Sequence, residues 1–255
     1  FSVSGENVYG IQYSKKNPNI YVIICAHYDN MPPWYFAPVA DDNGSGTFAV
    51  IEAARILSNY SFDYSIIYAL WDEEEQGLIG SHFYAQQARD KNDSIIAVIN
   101  LDMIGWDSNN DNVAQIHTRD IANSNQLTNS IIKINQNHNV ELNLSVINPG
   151  TNRSDHYSFW IRNYSAVLLI EDMTNDFNQF YHQVTDNIDI INFDYYKKMT
   201  KLAVGSIAYN AVVSENSTSV ENTIANKYYL QQNYPNPFNP STVIRYSVLE
   251  ETRVK

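Results

Sequence analysis

The chain is poor in the residues that staple, anchor or bind acids. It has one cysteine, Cys25, in 255 residues, so no disulfide can close within it. That thiol sits in the apolar run "IYVIICA", where a buried structural thiol fits better than a reactive one. A single cysteine leaves the redox compartment open. No apolar run is long enough to cross a bilayer. Basic residues are scarce: 16 Lys and Arg against 28 Asp and Glu give a net charge of −12. Such a surface argues against nucleic acid or an anionic membrane as partner. The chain has no internal repeat, and its first residues do not read as a signal segment. Its opening, "FSVSGENVYGIQYS", reads as the interior of a longer precursor.

What is present is an alternation of strands and helices over residues 1–213. The length supports one large α/β domain with a full core, or one domain plus a fragment. "NVYGIQYS" alternates and meets the turn "KKNPN". Residues 20–26 form a continuous β-branched run, as a buried parallel strand does. Residues 65–71, 95–101 and 166–170 repeat that pattern. Helical periodicity runs through "GSGTFAVIEAARILSNY", where Phe48, Ile51, Ala54 and Ile56 share one side. It returns in "SHFYAQQARD", in residues 124–137 and in residues 195–213. The pattern predicts a three-layer α/β/α sandwich with a mostly parallel central sheet. Composition then shifts. Residues 214–226, "SENSTSVENTIAN", read as a linker. Residues 227–255 carry "YPNPFNPSTVIRYSV", too short to fold alone, and read as the truncated start of a β domain.

Five short stretches bear chemistry. In "CAHYD", His27 follows a buried strand at its carboxyl end, where open α/β sheets place ligands. Asp29 is spaced to accept the far ring N–H of a metal-bound His27. The plain alternative is a surface histidine in a loop. "ADDNGSG", residues 40–46, reads either as a helix N-cap with a glycine turn or as a carboxylate bridging two cations. A phosphate loop is the poorer fit, because no lysine follows and two acids repel phosphate. "WDEEEQGLIGS", residues 71–81, puts Asp72, Glu73, Glu74 and Glu75 in a row after a buried strand; a solvated turn is the bland reading. In "NLDMIG", Asp102 ends a third buried strand. "YHQVTD", residues 181–186, carries His182 in an aromatic-rich loop. Each stretch is weak alone. Together they bring two histidines and at least three acids to one sheet edge, a mixed N/O set that suits zinc.

In this order the stretches "HYD … DDNGSG … EEEQGLIGS … NLDMIG … YH" resemble the secreted bacterial di-zinc leucyl aminopeptidases. Their clan also holds glutamate carboxypeptidases and animal glutaminyl cyclases. The resemblance spans residue 8 to about residue 210. It implies a phosphorylase/hydrolase-like fold of the zinc exopeptidase type and two Zn2+ ions. His27 and Asp102 would hold one zinc, Glu75 and His182 the other, and Asp42 would bridge them. Glu74 would be the general base and Asp29 would orient His27. The peptide bond after the bridging Asp is often cis in this family. Tyr181 matches a tyrosine that stabilises the tetrahedral intermediate in some members, where others have Phe. In "RSDHYSF", residues 153–159, Asp155 is the better candidate for a supporting acceptor and His156 for a structural role. Asp72 and Glu73 receive no chemistry, and Gly77 and Gly80 let the chain turn into the next helix.

The implied activity is hydrolysis of the first peptide bond of a peptide with a free amino terminus. A hydroxide between two zinc ions about 3.5 Å apart would attack the carbonyl, with Glu74 moving the proton. The rival readings are a carboxypeptidase, a glutaminyl cyclase (typically a one-zinc enzyme), or a non-catalytic surface binding module on the same fold. The stretch "YPNPFNPSTVIRYSV" resembles the opening of the carboxy-terminal sorting domain of bacterial type IX secretion, which implies a secreted or cell-surface protein. The expectation for oligomeric state is a monomer.

Overall fold

The structure is a computed structural model that describes residues 5–31 and 38–212, with the backbone of two short strands, Tyr229–Leu230 and Tyr246–Ser247. Those two strands pair antiparallel. The expected linker at 214–226 and the rest of the expected sorting domain at 227–255 lie outside the described residues.

Seven strands form one sheet: β1 (Val8–Gln12), β2 (Asn17–His27), β3 (Tyr64–Trp71), β4 (Ser94–Leu101), β5 (Val113–His117), β6 (Asn143–Ile147) and β7 (Ala166–Glu171). Their order is β1-β3-β2-β4-β7-β5-β6. The centre is parallel, β3 and β4 flanking β2 and β7 following β4, and β6 runs parallel to β5. Two joins are antiparallel, β1 on β3 and β5 on β7. The expected mostly parallel α/β sandwich is what forms. Five helices cover it: α1 (Gly46–Leu57), α2 (Ile79–Asp90), α3 (Ser124–Asn137), α4 (His156–Trp160) and α5 (Phe193–Asn210). None of the helices among the described residues is long and apolar enough to cross a membrane.

The period-two geometry of a strand explains the layers. Val22, Ile24 and Ala26 of β2 join one core with residues of α1, α3 and α5. Ile23 and Cys25 point the other way and pack with Trp71, Ala85 of α2 and Phe159 of α4. Along β4 the alternation slips once. The β2 register jumps from Tyr21–Ile95 to Val22–Ala97, leaving Ile96 38% exposed. The extra residue of this bulge lets Ile95 and Val98 share one face while Ala97, Ile99 and Leu101 take the other.

The expected helix forms as α1, and the side that carries Phe48 and Ile51 is not its buried one. The buried side of α1 is Ala49, Val50, Ala53 and Leu57, whereas Phe48 and Ile51 are 66% and 50% exposed. Both sets fit a 3.6-residue period. Size decides between them: α1 lies against β2 and β3, and small alanines let the two backbones come close. Strands β5 and β6 and the one-turn α4 did not stand out in the sequence. "VAQIH" and "NLSVI" are short and interrupted by polar residues, as strands near a sheet edge are.

Two buried histidines hold the loop after β6, His117 from β5 and His156 from α4. His117 Nδ1 accepts the N–H of Thr151 at 3.0 Å, and its Nε2 meets Gln115 Oε1 at 3.0 Å. His156 Nε2 meets the Thr151 carbonyl at 3.0 Å, and its ring stands edge-on to Trp160. Burial lowers His117 to about 4 and His156 to about 3, from an ordinary 6.5.

Two outcomes are expected. Ile99 is fully buried in β4, so Ile99→Ala should cost about 2–5 kcal/mol in urea unfolding. A folded pKa below the unfolded one means that the unfolded chain takes up the proton first. The His117 contribution is then complete above 6.5 and is lost as the pH falls toward 4. Urea titrations across that window should show the parent losing more stability than His117→Gln; equal losses would contradict it.

Candidate active site

The parallel register sets the site. His27 ends β2 opposite Trp71, the last residue of β3. Cys25 lies opposite Asn100 of β4, two residues before Asp102. Three adjacent strands therefore release His27, the acid turn after Trp71, and Asp102 at one sheet edge. Residues 40–45, a distorted turn before α1, bring Asp42 to the same place. The loop after β7 brings Tyr181 and His182. The Asp42–Asn43 peptide bond is cis.

Asp42 lies between the two imidazoles. Its Oδ1 is 3.3 Å from His27 Nε2, and its Oδ2 is 3.2 Å from His182 Nε2. His27 Nε2 is also 3.6 Å from Asp102 Oδ1, and His182 Nε2 is 3.0 Å from Glu75 Oε2. Two donor sets result, His27–Asp42–Asp102 and Asp42–Glu75–His182. Zinc bound tetrahedrally by N and O ligands at about 2.0–2.2 Å needs neighbouring donors about 3.4 Å apart. The spacing and donor chemistry of both sets fit such ions, and Glu75 Oε1 is a buried oxygen with no hydrogen-bond partner.

The charge states carry the same signature. Burial raises Asp42, but His182 and His27 outweigh it and bring the carboxyl down to about 2. Burial lowers His182, yet Asp42 and Glu75 lift it to about 9. Burial likewise opposes protonation of His27, and Asp102, Asp29 and Asp42 hold it well above its ordinary value.

Glu74 sits beside this pair of sets, close enough for a carboxylate oxygen to group with His27 and Glu75. Burial first, then Asp155, Asp102 and Glu75, push it up to about 10, against the pull of His27. Asp29 is 3.4 Å from His27 Nδ1. Its two oxygens also accept the N–H groups of Glu74 at 3.0 Å and Glu75 at 3.1 Å. One side chain thus steadies an imidazole and the backbone of both glutamates. The remaining acids of the turn are structural. Asp72 accepts the N–H groups of Glu6 and Glu73, and Glu73 is buried in the left-handed region at φ 56°. Asn7 ties the ends of the turn together, accepting from Asp72 N at 3.1 Å and donating to Gly80 O at 2.9 Å. Gly77 supplies φ +111° and Gly80 the close approach to Asp72 that a Cβ would block.

Tyr181 stacks on His182, ring centroids 3.7 Å apart. Burial and the nearby Asp42 raise its hydroxyl, so it stays protonated. Asp155 is fully buried, and burial lifts it to about 7. The hydrogen bond to Asp102 comes from its neighbour: Ser154 Oγ donates to Asp102 Oδ2 at 2.6 Å and accepts from Asn100 Nδ2 at 2.7 Å.

Sequence reasoning gave no role to Ser154, Asn178 or Asp186. Asn178 donates to Asp41 Oδ2 at 2.8 Å. Asp186 is 1% exposed and accepts from the backbone of Asp41 and Asp42. Burial lifts its carboxyl to about 6 against the pull of those two N–H groups. Its only signal was its place four residues after His182.

Known proteins resemble this chain in sequence and in fold. The profile described as peptidase family M28 matches residues 7–207. Aminopeptidase YwaD of Bacillus subtilis is 30% identical over 217 residues, covering 83% of this chain and 46% of the relative. Among solved structures, the LapA aminopeptidase of Legionella pneumophila aligns with a TM-score of 0.73 at 26% identity, over 82% of this chain and 56% of that one. BSAP, described as a zinc aminopeptidase from Bacillus subtilis, aligns with a TM-score of 0.71 at 26% identity, over 81% and 50%. A glutaminyl cyclase of Fimbriiglobus ruber, at 16% identity and a TM-score of 0.61, shares the fold. The chain spans about half the length or less of the curated relatives it matches, 46% of YwaD and 36% of aminopeptidase Y of Saccharomyces cerevisiae. Every strand and helix that delivers a residue to the sheet edge falls within the matched span, and the chain belongs to peptidase family M28.

Proposed function

We propose that this chain is the catalytic domain of a zinc aminopeptidase that removes the first residue of a peptide with a free amino terminus. His27 and Asp102 would hold one zinc, Glu75 and His182 the other, with Asp42 shared. The observation that carries this reading is the single Asp42 carboxylate facing one imidazole with each oxygen, 3.3 and 3.2 Å away. The names borne by YwaD, LapA and BSAP support the metal and the substrate class.

Zinc held by these residues would acidify a bound water and polarise the scissile carbonyl. Glu74 accepts the proton of the attacking water and returns it to the leaving amine. Burial suits it to that task, because a carboxyl raised from the ordinary range holds a proton long enough to pass it on. Positive charge at the ligand positions would oppose that rise. Asp29 keeps Glu74 and Glu75 in place through their N–H groups. Tyr181, protonated and stacked on His182, donates to the developing oxyanion. The substrate ammonium meets Asp102 in a strongly acidic surround, which favours a free amino end over a free carboxyl end.

Glu74→Gln should keep its zinc and lose at least about a hundredfold in kcat. Near-parent turnover in the zinc-loaded variant would remove Glu74 from the base role. On a panel of aminoacyl anilides, the parent should be active, silenced by a chelator, restored by Zn2+ and inactive on N-acetylated substrates. Cleavage of the blocked panel, or bound zinc near one per chain, would count against the aminopeptidase and for the rival clan activities.

A further inference from the structure

Two segments bring the Asp42 and His182 ligands together, residues 39–42 and the loop from Asn178 to Asp186. Four hydrogen bonds join them. Asp41 N donates to Asp186 Oδ1 and Asp42 N to Asp186 Oδ2, each at 3.0 Å. Ala40 N donates to the Asp186 carbonyl at 3.2 Å. Asn178 Nδ2 donates to Asp41 Oδ2 at 2.8 Å. Within the loop, Asp186 N donates to the Gln183 carbonyl at 3.0 Å, so Asp186 moves with the turn that carries His182.

In an extended strand, consecutive N–H groups point to opposite sides. Here they converge on one carboxylate, because Ala40 and Asp41 are helical, Asp42 and Asn43 being the non-helical residues of the turn 40–45, and the first N–H groups of a helical turn point the same way. The acid turn shows the same grip of one carboxylate on two successive N–H groups. Glu73, at φ 56°, precedes the Glu74 and Glu75 N–H groups that Asp29 accepts. The two carboxylates thus do equivalent work, Asp29 for the glutamates and Asp186 for the shared aspartate.

We infer that Asp186 is a positioning residue, whose carboxylate fixes the Asp41–Asp42 backbone so that Asp42 faces both His27 and His182. Neither oxygen of Asp186 contacts the ligand atoms; it acts through the backbone and through the loop it shares with His182. The inference rests on the metal-site reading above. In Asp186→Asn one oxygen still accepts, but the other becomes an NH2 group facing an N–H, and that hydrogen bond is lost.

The test is Zn2+ affinity measured by chelator competition on the purified chain, with urea unfolding of the metal-free protein beside it. Asp186→Asn should weaken zinc about 10–100-fold. Asp186→Glu, which keeps both oxygens on a longer arm, should weaken it less and carries the comparison if the Asn variant fails to fold. Ile99→Ala, destabilised in the distant core, should keep the parent affinity. Zinc affinity within twofold of the parent in the Asp186 variant would overturn the inference. So would a loss of zinc that tracks the loss of stability as it does in Ile99→Ala. The zinc content of the parent alone judges the two-ion reading. The ratio of variant to parent judges Asp186 in either case, because Asp42 belongs to both donor sets.

Discussion

The attraction between one buried carboxylate and two imidazoles organises the molecule's working end. Asp42, 4% exposed, faces His27 and His182 with opposite oxygens, and its negative charge is worth more there than in water. Around it stand Asp29, Glu74, Glu75, Asp102 and Asp155. So many acids in one low-dielectric place repel each other, and the arrangement persists only with compensating positive charge. In the metal-free protein, protons on the imidazoles and on the raised carboxyls supply it. Divalent ions supply it better, and metal binding at such ligands releases protons.

The fold answers a geometric demand set by that cluster. A parallel sheet sends neighbouring strands out at the same edge, so side chains far apart in sequence arrive within a few ångströms. The strands themselves stay apolar and buried, while the candidate site residues sit at or just past their ends. Leaving a strand abruptly has a local cost. Glu73 and Met103, each next to a site residue, and His182 itself are non-glycine residues at positive φ, a conformation that costs roughly 1 kcal/mol or more each. Packing on both sheet faces covers that cost, and the rigidity of the sheet keeps the ligands from relaxing away from one another.

The sheet and the site differ in how openly the sequence displays them. Runs such as 20–26 and 95–101 are unbroken and β-branched, and their burial on both faces leaves no other structure for them. The convergence of His27, the acid turn and Asp102 follows from three such runs. α1 was harder, because Phe48–Ile51 and Ala49–Ala53 repeat with the same period and only contact with the sheet chooses the smaller set. β5 and β6 were hidden for a related reason: their burial depends on neighbours far along the chain. Asp186 and Ser154 were illegible in another way. Their partners are backbone N–H groups or a side chain some fifty positions away, and nothing in their own surroundings marks them.

The two carboxylate-to-backbone grips have a meaning for how such a site survives mutation. Asp29 and Asp186 hold peptide N–H groups, and every residue except proline brings that group with it. Side chains beside the ligands can therefore change without touching what aligns them. The scaffold asks for a few fixed acids and tolerates drift around them.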